Sequence, residues 1–286
     1  MKETININDR IYPASFKNIA DPPKRLYCDG DLALLESRCV AVVGSRKCTP
    51  YGANVARKLG RRAAECGVTL VSGMAGGIDS AALWGAIDAG GQVIAVLGTG
   101  LDICYPRDNL RLMEKIRRTG LLITEFQAGD GPKRWHFPVR NRLISGISEV
   151  VVVVEAAFNS GALKTAEYAA DQDRILFAVP GPVFSAESMG TNKLIQDGAQ
   201  ILTVINDPFD CMNLSGPELP SVTVRLGKDE KTVYDLVDRA GELLPEQLCR
   251  MTGMSPARIS ALISLMEMKG VIVTYMGRIF IDKGGS

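Results

Sequence analysis

The sequence predicts an α/β protein: a doubly wound, mostly parallel sheet followed by a small C-terminal winged-helix domain. Three observations predict it. Short runs rich in β-branched residues recur from Cys39 onward without polar alternation, as strands buried on both faces require. Helical segments separate these runs, which is the pattern of a parallel sheet covered by helices. The alternation stops at a stretch bearing Pro, Gly and Ser, and helical pieces with a hairpin follow it.

The elements are read in order. CVAVVG (39–44) is the first strand, followed by a helix over 51–66, and VTLVSG (68–73) precedes a helix over 78–89. QVIAVLGTG (92–100), a helix over 109–118 and GLLITEF (120–126) come next. The last repeats are a helix over 139–145, EVVVVVEA (149–156), a helix over 161–172 and RILFAVPG (174–181). Residues 1–38 are read as a lead-in, 39–212 as the sheet domain, 213–229 as a linker and 230–286 as the winged-helix domain. Helices are predicted there over 230–239, 245–252 and 255–269, the last capped by Ser255 with Pro256 in its first turn, before two strands joined at Met276 and Gly277.

The 286 residues are 46% hydrophobic and 23% charged, with a net charge of +1, so any polyanion site must be a local cluster of basic groups. Seven cysteines at irregular spacing, with no CxxC pair, fit free thiols in a reducing compartment. His136 is the single histidine, so no metal site is expected. The start lacks a signal-peptide profile and no apolar run approaches the roughly 20 residues of a membrane span, so a cytoplasmic protein without membrane contact is expected.

Each predicted strand ends in small or polar residues, and in a parallel sheet those ends share one edge where helix N-termini present bare N–H groups. An anion site is expected there. The first turn reads GSRKCT rather than GxGxxG, Ser72 stands where a ribose-binding acid would, and no P-loop occurs, so no nucleotide cofactor is expected. A hydrolase would need His136, which is read instead as a loop residue held by backbone; Asp79, Glu125 and Glu155 are read as caps and loop braces. The expected phosphate contacts are Gly44, Ser45 and Arg46 after the first strand, Gly73 and Gly77 after the second, and Arg140, Asn141 and Arg142 before the fifth. Ser160, Gly161, Lys164 and Thr165 open one helix, and Gly190, Thr191, Asn192 and Lys193 another. In WHFPVRNRLISG (135–146), Phe137 beside the arginines reads as a base-stacking ring, with a core role as the competing reading, and Trp135 adjoins the same cluster.

Taken in order, VAVVGSR, VSGMAGGID, VIAVLGTGLDICYPRDN, FPVRNRLISG, VVVVEA with SGALKTA, FAVPGP and SMGTNKLIQDGA resemble the DprA/Smf family of DNA-processing proteins, over about residues 19–205. The resemblance implies a Rossmann-like, non-enzymatic protein that binds and protects incoming single-stranded DNA in natural transformation, loads the RecA recombinase onto it and acts as a homodimer. It places the phosphate loop at Gly44, Ser45 and Arg46, and the aromatic–arginine segment at Phe137, Arg140, Asn141 and Arg142, with the arginines facing the DNA backbone. Gly76 and Leu83 depart from the family's usual arginine and histidine, Gln127 from its proline, and the N-terminal helical domain of many members is expected to be absent. A competing reading is a Rossmann-like enzyme or sensor of a nucleotide-derived signal, although PGPVFSAESMGTN lacks the P-G-G-x-G-T-x-x-E run of phosphoribohydrolases. A third, a winged-helix regulator of duplex DNA, is weakened because the 255–269 helix carries only Arg258 and Lys269 against Glu267.

Overall fold

The computed structural model of the protein describes residues 2–214, 226–275 and 277–281. The chain divides into two compact units, residues 1–216 and 217–286. The first opens with β1 (Lys2–Asn6), α1 (Ala14–Lys17) and β2 (Arg25–Gly30), then β3 (Cys39–Val43), α2 (Pro50–Glu65), β4 (Thr69–Ser72) and α3 (Ile78–Asp88). It continues with β5 (Val93–Val96), α4 (Leu110–Thr119), β6 (Leu121–Thr124), α5 (His136–Ile147), β7 (Val150–Val153), α6 (Gly161–Asp171) and β8 (Ile175–Ala178), and ends with α7 (Met189–Gln196), β9 (Gln200–Ile201) and α8 (Asp207–Asp210).

The strand order is β1-β2-β6-β5-β4-β3-β7-β8-β9. From β6 to β9 all neighbours are parallel, and the order reverses beside β3, which pairs with β4 on one side and β7 on the other. This is the doubly wound sheet expected, with its switch point at β3. Continuous apolar runs are explained by two buried faces: Val40 and Val42 of β3 join one core with Leu59, Leu83 and Met113, while Ala41 and Val43 join the other with Phe16, Leu143 and Ile144. Each fully buried aliphatic side chain contributes about 1.5–3 kcal/mol.

Three differences from the sequence reading have physical causes. The lead-in belongs to the sheet: β2 pairs antiparallel with β6, Tyr27 opposite Thr124, and β1 pairs antiparallel with β2. Leu26 and Cys28 of β2 are fully buried, so these strands cover an edge that would otherwise be open. α5 starts three residues earlier than predicted, because Pro138 sits in its first turn, where no N–H is needed. β9 is a two-residue strand beyond β8 that carries too little pattern to be read.

The second unit contains α9 (Lys228–Ala240), α10 (Pro245–Thr252) and α11 (Pro256–Met268), then a hairpin of β10 (Ile272–Tyr275) and β11 (Arg278–Ile281). Gly253, at φ +71°, ends α10, and the Ser255 hydroxyl accepts from the Arg258 N–H to start α11. Val233, Val237, Leu248, Ile259, Met266, Ile272 and Ile279 form its own core. Residues 215–225 of the expected linker, and Met276 of the expected turn, lie outside the described residues.

Candidate nucleic-acid interface

The loop after β3 is strapped across the sheet edge. The Ser45 N–H donates to the Glu155 carbonyl at 2.7 Å, and the Ser45 carbonyl accepts from the Ile78 N–H at 3.2 Å. Gly77 has φ +74°, and a Cβ there would lie 2.3 Å from the Ser45 oxygen, so the two loops meet backbone to backbone. Gly44 is equally confined, since its Cβ would come within 2.7 Å of the Ile78 side chain. Both glycines therefore serve close packing.

The anion cradles expected at this edge are filled from within. The buried Asp79 carboxylate accepts from the Gly73 N–H at 3.0 Å and the Ala75 N–H at 3.3 Å. Glu155, also buried, accepts from the Thr49 N–H at 2.8 Å and from the Thr49 hydroxyl, which itself caps Gly52 at the start of α2. These side chains satisfy the donors that a bound phosphate would otherwise take. The loop after β4 and the α2 N-terminus are thus corrected from ligand cradles to internal braces, the roles anticipated for Asp79 and Glu155 themselves.

The expectation that Arg140, Asn141 and Arg142 face a ligand is corrected as well, because all three are buried. Arg140 Nη1 donates to the Gly73 carbonyl at 2.8 Å and to the Val96 carbonyl, and its Nε to Asn141 Oδ1 at 3.2 Å. Desolvation lowers its pKa to about 10; Asp79 opposes the shift and Arg46 adds to it. Burial conversely raises the Asp79 carboxyl above the usual range, with Arg140 and the loop amides opposing. Arg142 grips Glu125 through Nη1 at 2.6 Å and Nη2 at 2.8 Å, and its Nε donates to the Asp21 carbonyl at 2.9 Å. Asn141 donates to the Gly161 carbonyl at 3.1 Å. Together these side chains clamp α5 to β4, β5, β6, α6 and the lead-in.

What lies open at the edge is an aromatic–cation group. Arg46 is exposed and its guanidinium carbon lies 5.0 Å from the centre of the half-buried Phe137 ring. That ring rests on Gly98, where a Cβ would come within 2.9 Å of it, and meets Tyr105 at 5.3 Å between centroids. Tyr105, Lys47 and Arg107 were not among the residues singled out from the sequence, and all three are exposed. Arg107 opens a short 3-10 turn whose Asn109 donates to the Met74 carbonyl at 2.8 Å, tying it to the loop after β4. The signal that could have found Tyr105 and Arg107 is the aromatic–basic adjacency in YPRDN, and for Lys47 its place next to Arg46 in GSRKCT. His136 is buried, stacks on Phe126 at 3.8 Å and contacts the Gly98 carbonyl through Nδ1 at 3.0 Å, a brace within the first turn of α5.

The remaining expected residues mostly hold loops. The Ser160 hydroxyl caps α6 at the Ala162 N–H, Gly161 is exposed, and Thr165 is buried. The buried Gly190 donates to the Ala156 carbonyl at 2.8 Å, the buried Thr191 hydroxyl donates to the Ser188 carbonyl, and Asn192 brackets Gly181 through its N–H and carbonyl. Thr165, Gly190 and Thr191 are corrected from ligand contacts to packing. Lys164 and Lys193 are exposed, paired with Glu167 and Asp197 respectively. Among the described residues no three His, Cys, Asp or Glu side chains gather as a metal site, and no helix is long and apolar enough to cross a membrane.

Residues 3–213 match the family of DNA recombination-mediator protein A. The chain is 42% identical over 200 residues to the DNA processing protein DprA of Streptococcus pneumoniae, covering 70% of this chain and 71% of that one. It is 36% identical over 269 residues to the Smf protein of Escherichia coli, covering 86% and 72%. The X-ray structure of the Streptococcus pneumoniae protein superposes with a TM-score of 0.68 over 71% of each chain. A structure of Helicobacter pylori DNA processing protein A, concerned with its single-stranded DNA binding mode, superposes with a TM-score of 0.67 at 32% identity, over 74% of this chain and 98% of that one. With matches of this extent the chain belongs to the DNA recombination-mediator protein A family, the DNA-processing proteins called DprA and Smf.

Proposed function

We propose that the protein binds single-stranded DNA along the edge formed by Arg46, Phe137 and Tyr105, with Lys47 and Arg107 adding charge. The observation that carries the reading is the exposed Arg46 guanidinium beside a Phe137 ring seated on Gly98. A cation for the phosphate next to a ring for the base is how single strands are held without sequence preference. The buried clamp of Arg140, Asn141 and Arg142 makes that ring and loop rigid. The Helicobacter pylori relative's single-stranded DNA binding supports the same reading.

In the cell the protein protects incoming DNA during natural transformation and loads the RecA recombinase onto it, as a cytoplasmic homodimer without enzymatic activity. Phe158, Val183, Phe184 and Met189, in the loops after β7 and β8 and at the start of α7, are exposed apolar side chains that a second copy would cover. The second unit is an accessory winged helix: Arg258 of its last helix and Lys269 at that helix's C-cap are already paired, with Asp229 and Glu230 respectively. A sensor or enzyme of a nucleotide signal would need the amides that Asp79 and Glu155 occupy.

Binding of a labelled oligonucleotide, competed by duplex DNA and by mononucleotide at equal phosphate, tests the reading. Single strand should compete far better than either. Equal competition by duplex, or displacement by the mononucleotide, overturns it.

A further inference from the structure

Trp135 takes no part in the Arg46–Phe137–Tyr105 group, yet 57% of its surface is open. It is held firmly for so exposed a ring. His136 meets it edge to face at 4.1 Å between centroids and 88° between planes, and Phe126 meets it at 6.1 Å and 76°. His136 and Phe126 stack on each other, and His136 contacts the Gly98 carbonyl at 3.0 Å. Gly98 is also the residue on which Phe137 rests, so one glycine contacts both Phe137 and the histidine that backs Trp135. Residues two apart on a helix point about 200° from each other, which sets Trp135 and Phe137 on opposite sides of the start of α5.

The surroundings of the indole are basic. Lys133 Nζ lies 5.8 Å from its ring centre and Arg134 is exposed beside it. The carboxylate facing Lys133 is Asp130, at 3.3 Å in an exposed pair that offers little resistance to exchange for a phosphate.

We propose that Trp135, with Lys133, forms a second base-stacking platform, so that a DNA strand leaving Phe137 continues around the start of α5 onto the indole. This rests on the single-stranded DNA reading above and extends its site by a named position. The ligand it takes is a nucleobase of the bound strand, with the adjoining phosphate on Lys133.

The chain has two tryptophans, Trp84 and Trp135, and Trp84→Phe leaves Trp135 as the single indole emitter without touching the site. In the full-length Trp84→Phe protein, saturation with oligo(dT), verified by anisotropy of a labelled strand, should quench the emission. Trp135→Ala should weaken oligo(dT) binding by about fivefold or more with an unchanged salt slope, and Trp135→Tyr should restore most of it. Lys133→Ala should lower the slope by about 0.7. Unchanged emission in a saturated complex, or wild-type affinity of Trp135→Ala, overturns the platform. If in the same series Arg46→Ala and Phe137→Ala still weaken binding, the single-stranded DNA reading survives that failure. If the unmodified protein does not bind oligo(dT), both fall together.

Discussion

Arg46 at the end of β3 is exposed and stands over an aromatic ring, whereas Arg140 in α5, close enough for their charges to oppose, is buried and bonded to two backbone carbonyls beside Asp79. Both come from basic segments in the connections between strands, the pattern that suggests phosphate contact. The difference lies in what surrounds them. A buried guanidinium requires a full set of acceptors and a countercharge, which fix it as a structural clamp. An exposed one keeps its charge available to a ligand. At this edge the rim is open to a ligand and the layer beneath holds the rim in place.

The largest effect that would sharpen this contrast is expected at the clamp. Arg140→Ala leaves the Asp79 carboxylate buried without its cation and should cost about 3–5 kcal/mol of stability, read from urea unfolding. Asp79 already has a raised pKa in the folded state, and losing Arg140 raises it further. A folded state that takes up the proton more readily gains stability as pH falls, so the variant should recover part of its deficit as pH is lowered from neutrality toward the ordinary carboxylate range. A cost below about 0.5 kcal/mol, with weakened DNA binding instead, would place Arg140 in the rim.

Phe137→Ala should cost about 1–3 kcal/mol of single-strand affinity while leaving the salt slope nearly unchanged, because a ring displaces no counterions. Loss of about 3–5 kcal/mol of folding stability with unaltered affinity in the folded fraction would make the ring a core residue. Arg46→Ala should weaken binding uniformly across sequences, lower the magnitude of the log–log salt slope by about 0.7 and leave the melting midpoint nearly unchanged. An unchanged slope would remove Arg46 from the rim.

Gly76, where the family resemblance expects arginine, gives a gain-of-function test. A Cβ there would meet only the Arg46 carbonyl oxygen, at an ordinary 3.7 Å, so Gly76→Arg should fold normally and steepen the salt slope by about 0.7. The smallest effect is expected from deleting all residues after Asn213. The first unit carries both sheet cores, and affinity should stay within about tenfold, or about 1.4 kcal/mol.

Strands β3 to β7 were legible because strands buried on both faces are almost wholly apolar, and Val150–Val153 shows that without help from any partner; β8, with Ile175 exposed, was legible from its apolar run alone. β1 and β2 were not, since short antiparallel edge strands are defined by what they pair with, here β6 nearly a hundred residues on. Arg46 and Phe137 could be picked out from their place at strand and helix ends. The burial of Arg140 and Arg142 could not, because their acceptors Gly73 and Asp21 lie 67 and 121 residues away in the chain.

By itself the sequence determined the alternation of strand and helix, the edge on which the loops gather, and the ordered motifs that carry the family resemblance, all of which follow from local pattern and spacing. Tertiary structure alone decided which polar groups at that edge are available. Asp79 and Glu155 fill the amide cradles, and Arg140 and Arg142 are enclosed by carbonyls and carboxylates brought in from distant segments. Charge and hydrogen-bonding capacity are written in residue type, but availability depends on burial and on partners that only the folded chain brings together.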